Sequence, residues 1–254
     1  MPSQSTPKPV SKSTPKPVPA CKHKPVVIFD FDGTLANSFD PALDHLFNEI
    51  LPKHNLKNIK RADLNKWRNK SIPQIALSLP FSFWKIPQVM LEVKKWHDQN
   101  LDAVTLYPEV PKMIRDLNQL GFRLMILTSN SVSNVERVLK RYDLQNEFIA
   151  IKESNGLFNK PQALRNIFDD YELTAREVVY VGDEIRDIRA CKKVGVSIVA
   201  VNYGFNGTKG LRKNKPQYLV NSPQAVVDTV TQICLVPPSS TSEDDHLEFQ
   251  KLSH

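Results

Sequence analysis

Hydrophobic residues in this chain gather into short solid runs separated by longer amphipathic stretches. The runs are Pro25–Asp30, Phe122–Thr128, Phe148–Ile151, Val178–Val181 and Ser197–Val201, with a shorter sixth at Gln217–Val220. A strand buried on both faces shows such an unalternated run. Between the runs the period changes. Val110, Met113, Ile114, Leu117 and Leu120 lie on one helical face, and Gly121 suits the stop after them. Further helical patterns cover about 131–141, 161–169, 186–194 and 223–233, and Ser133 with Glu136 has the spacing of a capping box near the start of the first. Buried strands alternating with helices predict an α/β fold, a doubly wound, Rossmann-like parallel sheet. Ligands of such sheets bind beyond the carboxyl ends of the strands.

One interval breaks the alternation. Residues 37–105 hold no strand pattern, but helix-like stretches occur at Ala42–Leu51, around Arg61–Trp67, at Ile72–Leu79 and at Pro87–Trp96. That is too long for a loop within a compact domain. It predicts an inserted helical subdomain, with Trp67, Phe81, Phe83, Trp84 and Trp96 as its core. The α/β core is then 25–36 and 106–236. The first 24 residues are rich in Pro, Ser, Thr and Lys and repeat Ser-Thr-Pro-Lys-Pro-Val at 5–10 and 13–18. They are expected to be disordered, with polyproline character, because they cannot bury enough apolar surface to offset ordering. A passive linker is the simplest role, with a partner-docking segment and a transit peptide as alternatives. Residues 237–254 form a second polar, flexible tail.

Charge sharpens this picture. The net charge is +7, but the first 25 residues hold five lysines and no acid, leaving +2 for the rest. No basic face interleaved with aromatics emerges, so nucleic acid is not an expected partner. No apolar run is long enough to span a membrane, and the N-terminus lacks a secretory apolar stretch. Three widely spaced cysteines make neither a disulfide framework nor a zinc site, which points to a reducing, cytoplasmic setting.

The strand ends carry the chemistry. The first run leads into Asp30-Phe31-Asp32-Gly33-Thr34-Leu35, the second into Leu127-Thr128-Ser129-Asn130, and the fourth into Gly182-Asp183-Glu184-Ile185-Arg186-Asp187. Lys160, followed by Pro161, opens a helix after the third. Clustered carboxylates repel and need a cation. An oxygen-only set suits a hard ion, and magnesium bridges carboxylate to phosphate. A helix N-terminus disfavours a lysine, so Lys160 is expected to face an anion. Thr128 and the amides after it stand where a helix begins, an anion-binding position.

These four segments, in this order, resemble the four motifs of the haloacid dehalogenase superfamily of aspartate-nucleophile phosphatases. The resemblance spans 25–235. It implies that Asp30 attacks phosphorus and that Asp32 serves as acid and then base. It implies Mg2+ held by the Asp30 and Asp183 carboxylates and the Asp32 carbonyl. Thr128, Lys160 and the amides of Phe31, Asp32 and Ser129 would bind the phosphoryl oxygens. Gly182 and Asp187 would support them, Asp187 through water or by positioning Lys160. Glu184 is read as peripheral, and none of the six histidines as a catalyst or ligand. Asp32 argues against dehalogenation, since a halide needs no proton on leaving. The insertion resembles the C1 cap of the phosphoglycolate phosphatase and β-phosphoglucomutase branch, and the second and fourth motifs lean toward phosphoglycolate-phosphatase-like members. The expected partner is thus a small phosphorylated metabolite, with Arg68 and Lys70 as cap candidates for its second anionic group. Asn37 and Ser38 mark the linker into the cap. A phosphomutase and a catalytically idle binding protein stay open as alternatives, and the state as monomer or homodimer.

Overall fold

The computed structural model describes residues 25–56, 58–78, 85–154 and 159–235. The expectations for both tails, and for Phe81, Phe83 and Trp84, lie outside these residues.

The chain enters through β1 (Val26–Phe29) and a two-residue β2 (Ala36–Asn37). It continues into α1 (Phe39–His45), a π-helical turn (Leu46–Ile50), α2 (Leu51–Lys53), α3 (Leu64–Trp67), α4 (Ile72–Ser78) and α5 (Lys85–Gln99). It returns through β3 (Thr105–Leu106), which pairs antiparallel with β2. The rest alternates: α6 (Val110–Gln119), β4 (Arg123–Thr128), α7 (Val132–Lys140), β5 (Ala150–Glu153), α8 (Lys160–Tyr171), β6 (Val178–Gly182), α9 (Ile185–Val194), β7 (Ser197–Val201), α10 (Thr208–Lys213), β8 (Tyr218–Val220) and α11 (Pro223–Leu235). Six strands form one sheet in the order β5-β4-β1-β6-β7-β8, every neighbouring pair parallel.

The two faces of β1 explain the layering. Val27 and Phe29 point to one side, where α6 contributes Val110, Met113, Ile114 and Leu117 and α11 contributes Val226, Val227 and Val230. Val26 and Ile28 point to the other, against Leu164 and Ile167 of α8 and Ile185, Ile188 and Cys191 of α9. Both faces are covered, which is why the strands read as unbroken apolar runs. The helical insertion has its own small core of Ile50, Leu51, Leu56, Ile59 and Val89, with Trp67 packed against it. Trp96 instead stacks on His45, ring centroids 4.8 Å apart.

Several local expectations are corrected. The insertion is flanked by strand after all, since Asn37 and Thr105 pair across the β2–β3 ribbon. Two residues per strand are too few to show alternation. Leu120 lies beyond the end of α6 and is 56% exposed. There Gly121 takes φ 87° while the Phe122 amide bonds Leu117 O, a turn that leads the chain off the helix face. The cap of α7 is Ser131, whose hydroxyl accepts from the Asn134 amide, and not Ser133. Ser131 has the extended backbone an N-cap needs, whereas Ser133 is already helical. α10 was not anticipated; it has six residues with Gly210 inside, too few for a readable period.

Candidate active site

The central strands end together. Phe29 pairs with Ile126 of β4 on one side and Val181 of β6 on the other. Asp30, Thr128 and Asp183 therefore leave the sheet along one edge, and the Asp30 amide still bonds Val181 O at 2.9 Å. All three are buried. Lys160, the first residue of α8, is also buried. Its Nζ lies 2.5 Å from Asp30 Oδ2 and 2.5 Å from Asp187 Oδ1. Asp187 accepts the Glu184 amide with its other oxygen, closing a capping box that starts α9. Asp183 Oδ1 accepts from the Thr34 hydroxyl at 2.8 Å and its Oδ2 from the Phe205 amide at 2.7 Å.

The electrostatics call for a cation. One carboxylate oxygen from each of Asp30, Asp183 and Asp187 lies within 4.8 Å of the others. Burial, then the charges of Glu184, Asp30 and Asp187, push the Asp183 carboxyl well above its ordinary range. Burial opposes the charge on Lys160, but Asp187 and Asp30 outweigh it and raise its pKa, so the ammonium is retained. One lysine does not neutralise three carboxylates. Without an ion the balance comes from protons, which the raised Asp183 pKa favours; a buried, oxygen-only donor set also fits a hard divalent ion, which would supply it instead.

Asp32 stands at the mouth, its side chain 22% exposed. Burial raises its pKa, with Asp30 adding to the rise, while His97, Ser38 and Asn130 act against it. Asn130 Nδ2 reaches its oxygens at 3.2 and 3.4 Å. The Asn130 amide donates to Thr128 Oγ1 at 3.0 Å, which leaves the Thr128 hydroxyl proton for another acceptor. Ser129 Oγ accepts from Arg186 at 3.4 Å. The Phe31 amide donates to Asp30 Oδ1 at 2.8 Å and so aligns that carboxylate. Glu184 is not peripheral: it is buried and bonded to Arg186 at 2.7 Å, and burial, resisted by Arg186, pushes its pKa up to about 7.

Arg68 and Lys70 meet the core through a loop that sequence reasoning passed over. Arg68 donates from Nη2 to Gly204 O at 2.7 Å. The carbonyls of Arg68 and Lys70 both accept from Asn206 Nδ2, while Asn206 Oδ1 accepts the Ile185 amide. Asn206 thus ties the insertion to the start of α9. Gly204 passes so close to the site that a Cβ on it would lie 2.2 Å from Gly33 O and 2.4 Å from the Asp183 Cβ. Gly204→Ala is expected to lower stability by about 1–3 kcal/mol through overpacking and to depress activity by moving Asp183. Denaturant melts with parallel rate measurements check it; a variant with native stability and rate would mean the loop yields freely.

Known proteins match the stretch of chain that holds these residues. The family described as haloacid dehalogenase-like hydrolase matches residues 27–201. The chain belongs to the haloacid dehalogenase-like hydrolases. Within them it is phosphoglycolate-phosphatase-like, a phosphoric monoester hydrolase by class. It is 32% identical over 206 residues to a phosphoglycolate phosphatase of Synechococcus elongatus, covering 81% of this chain and 97% of that one. It is 24% identical to the pyrophosphatase PpaX of Bacillus mycoides, covering 81% and 96%. Among solved structures, a haloacid dehalogenase-like hydrolase from Streptococcus pneumoniae superposes with a TM-score of 0.69 at 17% identity, covering 82% of this chain and 98% of that one. A predicted phosphoglycolate phosphatase from Haemophilus somnus gives 0.65 at 20% identity, again covering 82% and 98%.

Set against the haloacid dehalogenase pattern, the structure brings Asp30, Lys160, Asp183 and Asp187 into one buried cluster, with Thr128 at the same sheet edge and Asp32 at its rim. Thr34, Asn130, Asn206 and His97 were not singled out. Thr34 sits inside the first motif and was legible there as a hydroxyl beside an acid pair. The contacts that bring the other three to the site join residues 21 to 138 positions apart, which no local pattern shows. Among the described residues, no helix is long and apolar enough to cross a membrane.

Proposed function

We propose that this chain is a magnesium-dependent phosphatase that hydrolyses a small phosphorylated acid of the phosphoglycolate kind, through an aspartyl-phosphate on Asp30. The observation that carries the reading is Asp30 itself: a carboxylate at a sheet edge, aligned by the Phe31 amide and Lys160, one oxygen of a triad that needs more positive charge.

Asp30 attacks phosphorus, forming an O–P bond as the bond to the leaving oxygen breaks. Asp32, whose raised pKa favours a held proton, gives that proton to the leaving oxygen. It then takes a proton from the water that attacks the phosphoenzyme, and Asp30 is regenerated with inorganic phosphate. Lys160 and the Thr128 hydroxyl hold the transferring oxygens, assisted by the amides of Asp32 and Ser129. Gly182 leaves room for Asp187 beside Lys160, since a Cβ on it would lie 2.6 Å from Asp187 Oδ2. The Asp30 and Asp183 carboxylates with the Asp32 carbonyl would hold magnesium, which when bound supplies the charge that the phosphoryl oxygens and the acid cluster both need. Residues 37–105 act as the cap that excludes water, and Arg68 and Lys70 offer cations to a second anionic group. The relative from Synechococcus elongatus, spanning most of both chains, supports the substrate class.

The test is phosphate release across small phosphorylated acids, sugars, nucleotides and pyrophosphate, with magnesium and with excess chelator. Chelation is expected to lower the rate at least about 100-fold, with recovery on adding magnesium back. An unchanged rate in chelator would remove the metal from the scheme. A need for a sugar bisphosphate activator, without net phosphate release, would favour a mutase.

A further inference from the structure

His97 belongs to the insertion, yet it faces the core site. It lies in the last turn of α5, its side chain 13% exposed, with Nε2 3.8 Å from Asp32 Oδ1. That nitrogen is buried and has no hydrogen-bond partner. A buried polar atom left unpaired costs about 1–3 kcal/mol, so a fold keeps one mainly where it is used. The ring is well placed to be used. Trp96 before it stacks on His45 of α1. Asp98 after it accepts from Asn134 Nδ2 at 2.8 Å, and Asn134 bonds Asn130, which holds Asp32 from its other side. Three consecutive residues thus fix the end of α5 between insertion and core.

We propose that His97 is a positioning residue for Asp32: its Nε2–H hydrogen-bonds Asp32 Oδ1 during turnover and sets the carboxyl for proton transfer to the leaving oxygen. The gap to a normal bond is about 1 Å, within reach of a small rotation of either side chain. Donation needs only a proton on Nε2, which the imidazolium and one neutral tautomer both carry. His97 on Oδ1, with Asn130 reaching both oxygens, would fix the plane of the carboxyl that carries the transferable proton. That carboxyl releases the proton to the leaving oxygen and later regains one from the attacking water. The contact also couples cap placement to chemistry, because an insertion shifted off the core takes the donor with it.

This rests on Asp32 being the acid–base residue, and the test separates the two claims. kcat/KM, which reports the first displacement, is measured on p-nitrophenyl phosphate, whose leaving group needs little help, and on phenyl phosphate, whose leaving group needs a proton. His97→Ala is expected to lose about 30-fold on phenyl phosphate and less than about threefold on p-nitrophenyl phosphate. His97→Gln, whose amide nitrogen falls near the Nε2 position, should recover most of the loss, and His97→Asn should not. In an Asp32→Asn background, His97→Ala should cost nothing further. Equal losses on both phosphates, or additive losses in the double variant, would overturn the role of His97. If Asp32→Asn itself shows no leaving-group dependence, the acid–base reading has failed instead. Should His97→Ala fold poorly, the Gln and Asn pair still decides.

Discussion

Asp30→Asn is expected to abolish phosphate release, by about 10⁴-fold or more, while the protein stays folded. The substitution preserves shape and removes the nucleophile: an amide oxygen does not displace an alkoxide from phosphorus at a useful rate. It also misplaces a donor. Asp30 Oδ1 accepts the Phe31 amide and Oδ2 accepts Lys160 Nζ, so either orientation of an asparagine sets an NH2 against another donor. That opposes folding, while removing one member of the acid cluster favours it, and a stability change of no more than about 1–2 kcal/mol should result. Two measurements check it. Thermal melts should remain cooperative near the parent value. Acid quench of the parent with labelled substrate should trap phosphate on protein, and the variant should trap none. Asp32→Asn gives the contrast, since it retains the nucleophile. Turnover by Asp30→Asn within about tenfold of the parent would show that the attacking group lies elsewhere.

The core architecture was legible in the sequence because of where the sheet lies. Strands covered on both faces must be apolar throughout, so Val26–Phe29, Arg123–Thr128 and Val178–Val181 stand out without any partner being known. The convergence of the candidate site residues was legible for a related reason. A parallel sheet delivers its strand ends to one edge, so residues at the ends of separate runs become neighbours by topology alone. What could not be read depends on tertiary contact. The approach of β5 was misplaced by two residues, since Ala150–Glu153 is an edge strand, half-buried and without a solid run. Asn206 looks like a loop polar residue until the backbone of Arg68 and Lys70 lies across it. His97 is one polar residue in a mostly polar helix stretch, and only the docking of α5 turns it toward Asp32. Glu184 looked peripheral because its sequence neighbours are charged; the fold buries it with Arg186.

Lys160→Met should be costly in two separable ways. In excess chelator the Lys160 ammonium is the charge held against both Asp30 and Asp187, at 2.5 Å from each. Removing it leaves carboxylates uncompensated in a site where Asp187 is fully buried. Breaking a buried pair by deleting one partner costs about 3–5 kcal/mol, so denaturant unfolding should show a loss of that size. Protonation of the carboxylates relieves part of it, which predicts a smaller deficit as pH falls and the acids take up protons. Saturating magnesium should also shrink the deficit, because the ion returns positive charge to the same carboxylates. Turnover behaves differently. It should fall by about 10²–10³ even with magnesium saturating, since the ion does not replace a cation aimed at the transferring oxygens. Lys160→Arg should not rescue it: a planar, larger guanidinium has no room where lysine is 2% exposed between two acids and the Tyr180 ring. A stability deficit of equal size with and without magnesium would mean that the lysine and the ion act on different groups, and the single charge-balanced pocket that both the fold and the chemistry imply would have to be divided in two.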